Sequence, residues 1–523
     1  MSEFSTSDKP VKSGLVQSFG LFTLVMIVLS SMIGSGVFKK IAPMSANMQH
    51  PWLVMLAWVL AGLVSLFGAL GNAEVGSMIT EPGGQYAYFK QMYGRFVAYM
   101  YGWTMFSVVQ TATAAAVAMV FAQATSVIFH EFGYEWSELT VKLLAVGAIA
   151  LFTFVNYKGA AFGGSLNSIF MGTIVTALVL VIILNLTMAG GSLANLNHAA
   201  NADGISALLR NIYAEAGVTP IGTTFMELKA QLNTAFEASA KGGGGLTADV
   251  LTKINFANIK DIAAGSEAVT ASWGSILSAL FATMLGAFWA YEGWNNVGYL
   301  GAEVKNPSRN IPLGLTIGVL VVMAIYTLIN FSYLYALPVE QLVNVHLHKN
   351  QIGAVEVLKS YMGSGGILLV SALIALANFN TTNNSILTAP RVTYAMAADG
   401  LFFKQIAAIH PINKTPGLAI IIMGLWAIMF VWSGQFDALT DMLVFASFIF
   451  YFMAAIGVFI LRSKMPDAPR SYRVNLIFPA VFAIFSFFLV IFTIYNDPMN
   501  AAKGLGLMAL GLPLYFYFER DKG

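Results

Sequence analysis

The chain has 523 residues, of which 57% are hydrophobic and 10% are charged, with 27 Lys and Arg against 25 Asp and Glu. Soluble domains carry about 25% charged residues, so this composition indicates a multi-pass membrane protein. The near-neutral charge provides no basic surface for nucleic acid, and the absence of cysteine excludes disulfides, thiolate metal sites and cysteine nucleophiles.

Uncharged stretches predict where the chain crosses the membrane. A helix needs about 20 apolar residues to span the hydrocarbon core. Twelve stretches without Asp, Glu, Lys or Arg reach or approach that length: 13–38, 51–73, 96–129, 143–157, 159–188, 268–291, 311–339, 360–390, 415–436, 442–461, 474–496 and 504–518. Lys142 and Lys503 flank the two shortest stretches, and we expect both to snorkel from helix ends.

These spans divide the chain into five parts. We expect 1–12 to be a cytoplasmic N-terminal tail, 13–188 a first five-helix unit, 189–267 an extracytoplasmic insertion, 268–461 a second five-helix unit, and 462–523 a cytoplasmic loop with two accessory helices. Cytoplasmic termini place most short-loop Lys and Arg inside the cell, as membrane proteins prefer. Because five is odd, the second unit inserts in the opposite orientation, which predicts an inverted repeat. The long insertion is either a small ordered cap, with 225–240 as a surface helix, or disordered.

The first and sixth spans are interrupted near their middles. The first break covers residues 30–38, around Gly34-Ser35-Gly36, and the second covers residues 289–296, around Glu292-Gly293. An unpaired backbone group costs several kcal/mol in hydrocarbon, so such a break persists only beside a cavity. Paired breaks predict a binding site at the bilayer midplane. For Gly-Ser-Gly alone, the alternative is a site of close helix packing.

The chemistry of the breaks matches the two ends of an α-amino acid. Free amides after the first break suit a carboxylate, and free carbonyls at Trp289 and Ala290 suit an ammonium group. Glu292 is the only acidic residue deep inside an apolar stretch. It either attracts a cationic side chain, exchanges a proton, couples the site to helix movement, or accepts hydrogen bonds from backbone amides. The amide-rich run 378–385 must face the cavity or other helices, because buried amides need partners.

Metal, cofactor and ATP-driven chemistry are not expected. The six histidines all lie in predicted loops or at helix ends, and the chain has no phosphate-binding P-loop motif. No acid, base or metal ligands converge within the predicted spans, so we do not expect an enzyme.

Four motifs carry a resemblance to a known family. They are Ile-Gly-Ser-Gly-Val-Phe at 33–38, Phe-Trp-Ala-Tyr-Glu-Gly-Trp-Asn at 288–295 running on to 312, Gly-Gly-Gln-Tyr-Ala-Tyr at 83–88, and the segment 389–400. In these residues the chain resembles the amino acid–polyamine–organocation (APC) superfamily. Within it, the chain is similar to the L-type amino acid transporters and their bacterial serine/threonine and alanine/serine exchanger relatives. The resemblance omits the long insertion.

The resemblance implies a fold and a set of substrate contacts. The fold would be an all-α membrane protein with twelve transmembrane helices, arranged as a LeuT-type 5+5 inverted repeat with discontinuous helices 1 and 6. The implied substrate-binding residues are Ser31, Met32, Gly34, Ser35, Gly36, Trp289, Ala290, Glu292 and Asn383, with the Trp289 ring as a gate. Residues 110–113 and either Phe450 or Tyr451 are further candidates for the cavity wall.

Two departures from the family bear on coupling and on partners. Sodium-independent relatives often carry a lysine in the fifth helix where this chain has Ile174, with Thr173 adjacent. Thr173 and Glu292 are therefore the coupling candidates. Animal L-type transporters pair with a glycoprotein through an extracellular cysteine, and this chain has no cysteine. We therefore expect no disulfide-linked heavy chain, and the sequence leaves the oligomeric state open.

The expected function is secondary active transport of amino acids across the cytoplasmic membrane, by exchange of neutral L-amino acids through alternating access. Proton- or sodium-coupled symport and transport of cationic amino acids stay open as alternatives. A sensor that binds amino acids without transporting them is a more remote one. The expected partners are the amino acid substrate and the lipid bilayer, and the sequence does not say which amino acid is carried.

Overall fold

The computed structural model describes residues 15–200, 202–215, 219, 225–240, 253–255, 258, 261–262, 265, 273–348, 351–433, 436–496 and 498–520. Secondary structure in these residues is helical, and their only β-type contacts are two isolated bridges, Phe19 with Val304 and Ile254 with His348. This all-α architecture follows from the long apolar stretches, because a helix satisfies its own backbone in hydrocarbon.

The described helices before the sixth predicted span form four stretches of membrane length and several shorter helices, three of them in the insertion. In chain order they are α1 (Leu21–Met32), α2 (Gly36–Lys39), α3 (Ile41–Met48), α4 (Pro51–Met78), α5 (Gln85–Tyr93), α6 (Arg95–Thr104), α7 (Gln110–His130), α8 (Glu138–Lys158), α9 (Ala160–Met188), α10 (Ala194–Asn197), α11 (Ala202–Glu215) and α12 (Phe225–Ala240). A π-helical turn over Met105–Val109 joins α6 to α7 into one continuous rod.

The second half of the chain begins with the other broken helix. Its elements are α13 (Trp273–Tyr291), a 3₁₀ segment (Trp294–Glu303), α14 (Pro307–Ala336), α15 (Val339–Leu347), α16 (Gly353–Met362), α17 (Ser364–Thr388), α18 (Pro390–Ala398), a short 3₁₀ turn (Lys404–Ala407), α19 (Gly417–Ser433), α20 (Phe436–Lys464), α21 (Ile477–Asn496), α22 (Pro498–Ala509) and α23 (Leu512–Arg520).

Ten helical stretches of the described chain are long and apolar enough to cross a membrane. The sequence predicted twelve spans. The two others correspond to α1, which has 12 residues, and α19, which has 17. The first is short because the chain leaves the helix after Met32, so neither half of the broken span reaches membrane length alone.

The fourth span begins earlier than the sequence predicted. Helix α8 starts at Glu138, five residues before the uncharged stretch 143–157. Ser137 caps it by accepting a hydrogen bond from the amide of Thr140 (3.2 Å). Lys142 lies 2.6 Å from Glu138, one turn away on the same face. Because Glu138 and Lys142 form an ion pair, both charged residues are accommodated in the first turns of a membrane-length helix.

The helices around the two breaks share one apolar core. Helix α4 packs against α13 and α14, α17 packs against α7 and α9, and α1 packs against α14. Trp58, Tyr291 and Tyr326 form an aromatic trio with ring centroids between 5.0 and 6.0 Å apart. Aromatic contacts of this kind stabilise beyond the area they bury, so they fix the helices that flank the breaks.

The described part of the insertion packs on the helix that follows the first break. Leu209 and Tyr213 of α11 share a buried apolar cluster with Ala46 of α3 and Val343 of α15. The segment 225–240, expected to be a surface helix, is α12. The glycine run 242–245 lies outside the described residues.

Gln49 connects the end of α3 to the insertion. It is the left-handed cap residue of α3 (φ 50°) and is 1% exposed. Its carbonyl accepts a hydrogen bond from the amide of Ala200 (2.8 Å), and its Nε2 donates to the carbonyl of Ile262 (2.7 Å). The half of the first broken helix that follows the break is therefore attached to the insertion.

Two carboxylates outside the predicted uncharged stretches are more deeply buried than Glu292, which is partly buried. Glu74, inside α4, and Glu303, at the end of the 3₁₀ segment, are each 1% exposed. Glu74 lies 2.6 Å from Arg462, and Glu303 accepts two hydrogen bonds from Arg391, of 2.8 and 3.1 Å. These partners are distant in sequence, so the sequence analysis does not pair them.

We predict that Arg391→Met lowers the stability of the folded protein. The substitution leaves the Glu303 carboxylate buried without a cation, which costs about 3–5 kcal/mol. Thermal and denaturant unfolding of the detergent-solubilised protein measure the loss. Adding Glu303→Leu should recover much of it, because an apolar pair replaces the charges. Lys142→Gln, at a solvent-exposed pair, is the matched control with a small effect. An equal shift for Arg391→Met and Lys142→Gln would contradict the prediction.

Candidate substrate-binding site

The two helix breaks lie against each other. A Cβ atom on Gly293 would lie 2.6 Å from the carbonyl oxygen of Ser31, and one on Gly36 would lie 2.8 Å from the Cβ of Ala290. Both distances are shorter than real contacts allow. Gly293 also has φ of 102°, a left-handed conformation that L side chains rarely adopt. Glycine is therefore required where each break approaches the other.

The first break leaves backbone donors without partners. Helix α1 ends at Met32 and α2 begins at Gly36. Among the described residues, none accepts a hydrogen bond from the amides of Ser35, Gly36 or Val37. These N–H groups stand at the positive end of the helix dipole, where anions are favoured.

Tyr326 of α14 connects the two breaks. Its hydroxyl lies 2.7 Å from the carbonyl oxygen of Met32 and 3.0 Å from that of Ala290. These carbonyls lie in the last turns of α1 and α13, where a helix lacks intrahelical donors for its carbonyls, and the Met32 carbonyl also accepts from the amide of Gly34 (3.1 Å). One buried hydroxyl therefore lies within hydrogen-bond distance of a carbonyl at each interrupted helix end.

A central cavity of about 100 Å³ lies between the breaks. Its wall comes from both breaks and from α7, α17 and α20. The lining residues are Ser31, Met32, Gly34, Ser35, Gly36, Val109, Gln110, Thr113, Ala116, Val117, Trp289, Ala290, Glu292, Gly293, Asn296, Thr381, Asn384, Ser385 and Ser447.

Glu292 contributes the carboxylate of this wall. The hydroxyl of Tyr451 donates to it at 2.5 Å, and the Ser447 side chain also forms a hydrogen bond with it. Tyr451 lies 3.3 Å from Asn295 Oδ1 as well. No ion pair within 4 Å involves Glu292 in the part of the chain that the structure describes. Two hydroxyl groups, rather than a cation, hold this carboxylate.

Trp289, for which the resemblance implies a gate, lines the central cavity. Its ring edge packs on the backbone of Gly36, where an added Cβ would lie 3.2 Å from it. The ammonium group of Lys40 lies 4.8 Å from the ring centroid, a cation–π contact that holds the indole in place.

The structure brings together all but one of the substrate contacts implied by the resemblance. Ser31, Met32, Gly34, Ser35, Gly36, Trp289, Ala290 and Glu292 all line the central cavity. Gln110 and Thr113 line it too. Tyr451 contacts Glu292 from behind the wall, whereas Phe450 packs on Tyr101 away from it.

Asn383 is the exception. It is fully buried, donates to the carbonyl of Gly163 (3.1 Å) and accepts from Asn156 (2.9 Å), so it faces α8 and α9. The next residue, Asn384, lines the cavity and donates to the Ser31 hydroxyl (2.7 Å). Successive helical residues point about 100° apart, which separates these two neighbours.

Thr173 is not near the site. It is exposed on the outer face of α9, and its hydroxyl donates to the carbonyl of Ile169 (3.1 Å). Ile174 points inward instead and is fully buried. Thr173 therefore has no geometric connection to the central cavity.

Several wall residues escaped the sequence analysis. Thr381, Ser385 and Ser447 line the cavity, and Asn296 accepts a hydrogen bond from Gln110 Nε2 (3.2 Å). Asn296 was within the recognised break, and Thr381 and Ser385 were within the polar run 378–385, so a signal for these three existed. Tyr326 and Ser447 lie in ordinary apolar helices, so no pattern in the sequence indicated that they lie at the site.

The family is established by sequence comparison. The model of the amino acid permease family matches residues 19–512, nearly the whole chain. The chain belongs to this family, whose members are transporters and not enzymes. A protein with ten membrane-length apolar helical stretches in its described part and a cavity between two broken helices agrees with amino acid transport.

Relatives of known function cover almost the entire chain. The chain is 28% identical to the serine/threonine exchanger SteT of Bacillus subtilis (strain 168), covering 98% of each protein. It is 27% identical to the human b(0,+)-type amino acid transporter 1, over 99% of this chain and 91% of that protein. Identity to the human large neutral amino acids transporter small subunit 2 is 25%, over 96% of this chain and 80% of that protein.

We predict that Tyr326→Phe weakens both stability and substrate binding. Removing the hydroxyl takes this donor from the buried Ala290 carbonyl and leaves the Met32 carbonyl with the amide of Gly34 (3.1 Å), at a cost of about 1–3 kcal/mol. Thermal melts with and without amino acid measure both effects, since a bound ligand stabilises by mass action. Tyr333→Phe is the matched control, because that buried hydroxyl on the same helix has no partner among the described residues. Equal effects of the two substitutions would remove the bridging role.

Proposed function

We propose that this protein exchanges small neutral L-amino acids across the cytoplasmic membrane by alternating access. The observation that carries the proposal is the central cavity, which offers unpaired amides on one side and helix-end carbonyls on the other. Similarity to a serine/threonine exchanger supports exchange as the mode.

The carboxylate of the substrate binds at the first break. The amides of Ser35, Gly36 and Val37 have no described acceptor, and Gly34 to Gly36 line the cavity. An anion there completes their hydrogen bonds and meets the positive end of the helix dipole. The hydroxyl of Ser31, held by Asn384, stands beside it.

The ammonium group binds at the end of α13, where Trp289 and Ala290 line the cavity. The Ala290 carbonyl is currently shared with Tyr326 at 3.0 Å, which is longer than the contact of Tyr326 with Met32. An arriving ammonium group therefore takes over the weaker of the two contacts, and Tyr326 retains Met32.

The size of the cavity favours small substrates. An engineered cavity of about 150 Å³ is just large enough for benzene, and the central cavity is smaller, at about 100 Å³. Gln110, Thr113 and Ser447 add polar groups that suit a hydroxyl side chain. Serine and threonine are therefore the substrates we favour.

The proposal includes the complete topology. Twelve transmembrane helices, of which α1–α3 count as one and α19 as another, form a LeuT-type 5+5 inverted repeat. Its two discontinuous helices are α1–α3 and α13 together with the 3₁₀ segment that follows it. The positions of the two breaks, in the first and sixth spans, support this arrangement. Cytoplasmic termini then place the insertion outside the cell.

Reconstitution tests the function directly. Vesicles preloaded with L-serine, without sodium or a proton gradient, should take up labelled serine faster than empty vesicles do. Trp289→Ala should abolish this exchange while the protein stays folded, because the gate ring over the substrate is lost. Equal uptake by loaded and empty vesicles would refute exchange, and undiminished exchange by Trp289→Ala would refute the gate.

Ion-coupled symport is the second candidate function. The hydrogen bonds of Tyr451 and Ser447 to the Glu292 carboxylate favour it. A partly buried carboxylate held by hydroxyl groups can accept a proton without breaking an ion pair. Transport of cationic amino acids is a further alternative that depends on Glu292, because the cationic side chain of such a substrate would pair with its carboxylate.

Empty vesicles with an inward proton gradient separate these candidates. For an exchanger, we expect no net serine uptake, and Glu292→Gln should leave exchange independent of the gradient. Net uptake that Glu292→Gln abolishes and Glu340→Gln preserves would establish proton coupling instead. Glu340 is a suitable control because it begins α15, outside the cavity wall. Competition by lysine would reveal a cationic substrate.

A further inference from the structure

Asn384 of α17 has a buried polar atom that no described residue contacts. The residue lines the central cavity and is 1% exposed. Its Nδ2 donates to the Ser31 hydroxyl (2.7 Å), but its Oδ1 has no hydrogen-bond partner in the described chain. A buried amide oxygen without a donor costs free energy. In the wall of a cavity, such an atom indicates a ligand that supplies the donor.

Ser31 determines which way the Asn384 amide faces. A serine hydroxyl has one hydrogen, and Ser31 donates it to the carbonyl of Ile27 (2.9 Å). The Ser31 oxygen is therefore an acceptor towards Asn384, so the Nδ2 and not the Oδ1 must face it. Turning the amide over would set two acceptors against each other. This contact leaves the Oδ1 without a partner.

Four other polar side chains of the cavity wall are already paired within the protein. These pairs are Thr113 with the Val109 carbonyl, Thr381 with the Ala377 carbonyl, Gln110 with Asn296, and Ser447 with Glu292. Among the described residues that line the central cavity, Asn384 alone has a buried polar side-chain atom without a partner. An acceptor for a substrate donor is therefore available at this residue.

The proposed binding mode directs the substrate side chain towards Asn384. The carboxylate uses the amides of Ser35 to Val37, and the ammonium group uses the Ala290 carbonyl. The side chain then faces the rest of the wall, which α7, α17 and α20 form. An amide oxygen accepts hydrogen bonds and cannot donate them, so it suits a hydroxyl side chain.

We propose that Asn384 Oδ1 accepts a hydrogen bond from the side-chain hydroxyl of the substrate and thereby selects hydroxyl amino acids over apolar ones of the same size. This inference rests on the proposed function. A substrate without the hydroxyl leaves the oxygen unpaired in the occupied cavity. Sites with buried polar groups reject such analogues for this reason. Asn384 is then the residue that determines specificity for the side chain.

An isosteric pair of ligands tests the proposal on the full-length protein. L-Threonine and L-valine have nearly the same shape and differ by a hydroxyl in place of a methyl group, so the size of the cavity cancels from their comparison. Isothermal titration calorimetry of the detergent-solubilised protein measures both dissociation constants. We expect threonine to bind about tenfold more tightly than valine, the effect of one hydrogen bond to a buried acceptor. Equal affinities in the native chain would overturn the proposal.

Asn384→Leu removes the oxygen and keeps the approximate size of the side chain. We expect the threonine-to-valine preference to fall from about tenfold to about one. The lost bond to Ser31 affects both ligands alike, so it does not change this ratio. If Asn384→Leu does not fold, Asn384→Ala removes the same oxygen and has the same expected ratio. Equal weakening of both ligands with the preference retained would overturn the proposal, because Asn384 would then bind a group that both share.

Asn383→Leu is the matched control on the same helix. Asn383 is fully buried but faces α8 and α9, so its replacement should lower stability and leave the preference for threonine intact. Loss of the preference in both variants would overturn the proposal, because a general disturbance of α17 would explain it. Binding of L-serine and L-alanine separates the two levels of the account. Tight binding of both without a preference refutes the role of Asn384 and retains the proposed function, whereas binding of none of the four amino acids refutes the proposed function itself.

Discussion

A backbone group without a partner is expensive inside a membrane, and this protein leaves several of them at one place. The breaks at Gly34–Gly36 and Glu292–Gly293 are tolerated because each packs on the other. Gly293 lies on the carbonyl of Ser31, and Gly36 lies on Ala290, with no room for a side chain at either contact. Tyr326 then supplies one hydroxyl to the carbonyls of Met32 and Ala290. The amides of Ser35 to Val37 at the first break have no acceptor among the described residues, and in our proposal the ligand supplies one.

The rest of the molecule supports that arrangement. The aromatic trio of Trp58, Tyr291 and Tyr326 fixes α4, α13 and α14 around the breaks. On the half of the first helix that follows the break, Gln49 anchors α3 to the insertion. At the end of the 3₁₀ segment, Glu303 holds Arg391 by its side chain and the amides of Ser18 and Phe19 by its carbonyl. The two broken helices are thus held to the rest of the protein at separate polar contacts.

The sequence was sufficient for features that depend on local chemistry. Gly34 to Gly36 and the pair Glu292-Gly293 predicted both breaks together, although Gly-Ser-Gly alone is also typical of close helix packing. Rotation about a helix axis was harder to predict. The run 378–385 is polar on every face, so its pattern could not show that Asn384 faces the cavity and Asn383 faces α8 and α9. Long-range pairs were beyond reach, since Glu74 and Arg462 are 388 residues apart. Tyr326 had no local signature, because tyrosine is ordinary in an apolar helix.

The central claim is that the first break binds the carboxylate of an amino acid. A cryo-electron-microscopy structure of the protein with L-serine in lipid nanodiscs tests it most directly. We predict serine between the two breaks, with carboxylate oxygens at hydrogen-bond distance, about 2.7–3.2 Å, from the amides of Ser35 to Val37, and the ammonium group at the Ala290 carbonyl. Serine bound with its carboxylate turned away from these amides, or absent from the central cavity at saturating concentration, would contradict the account.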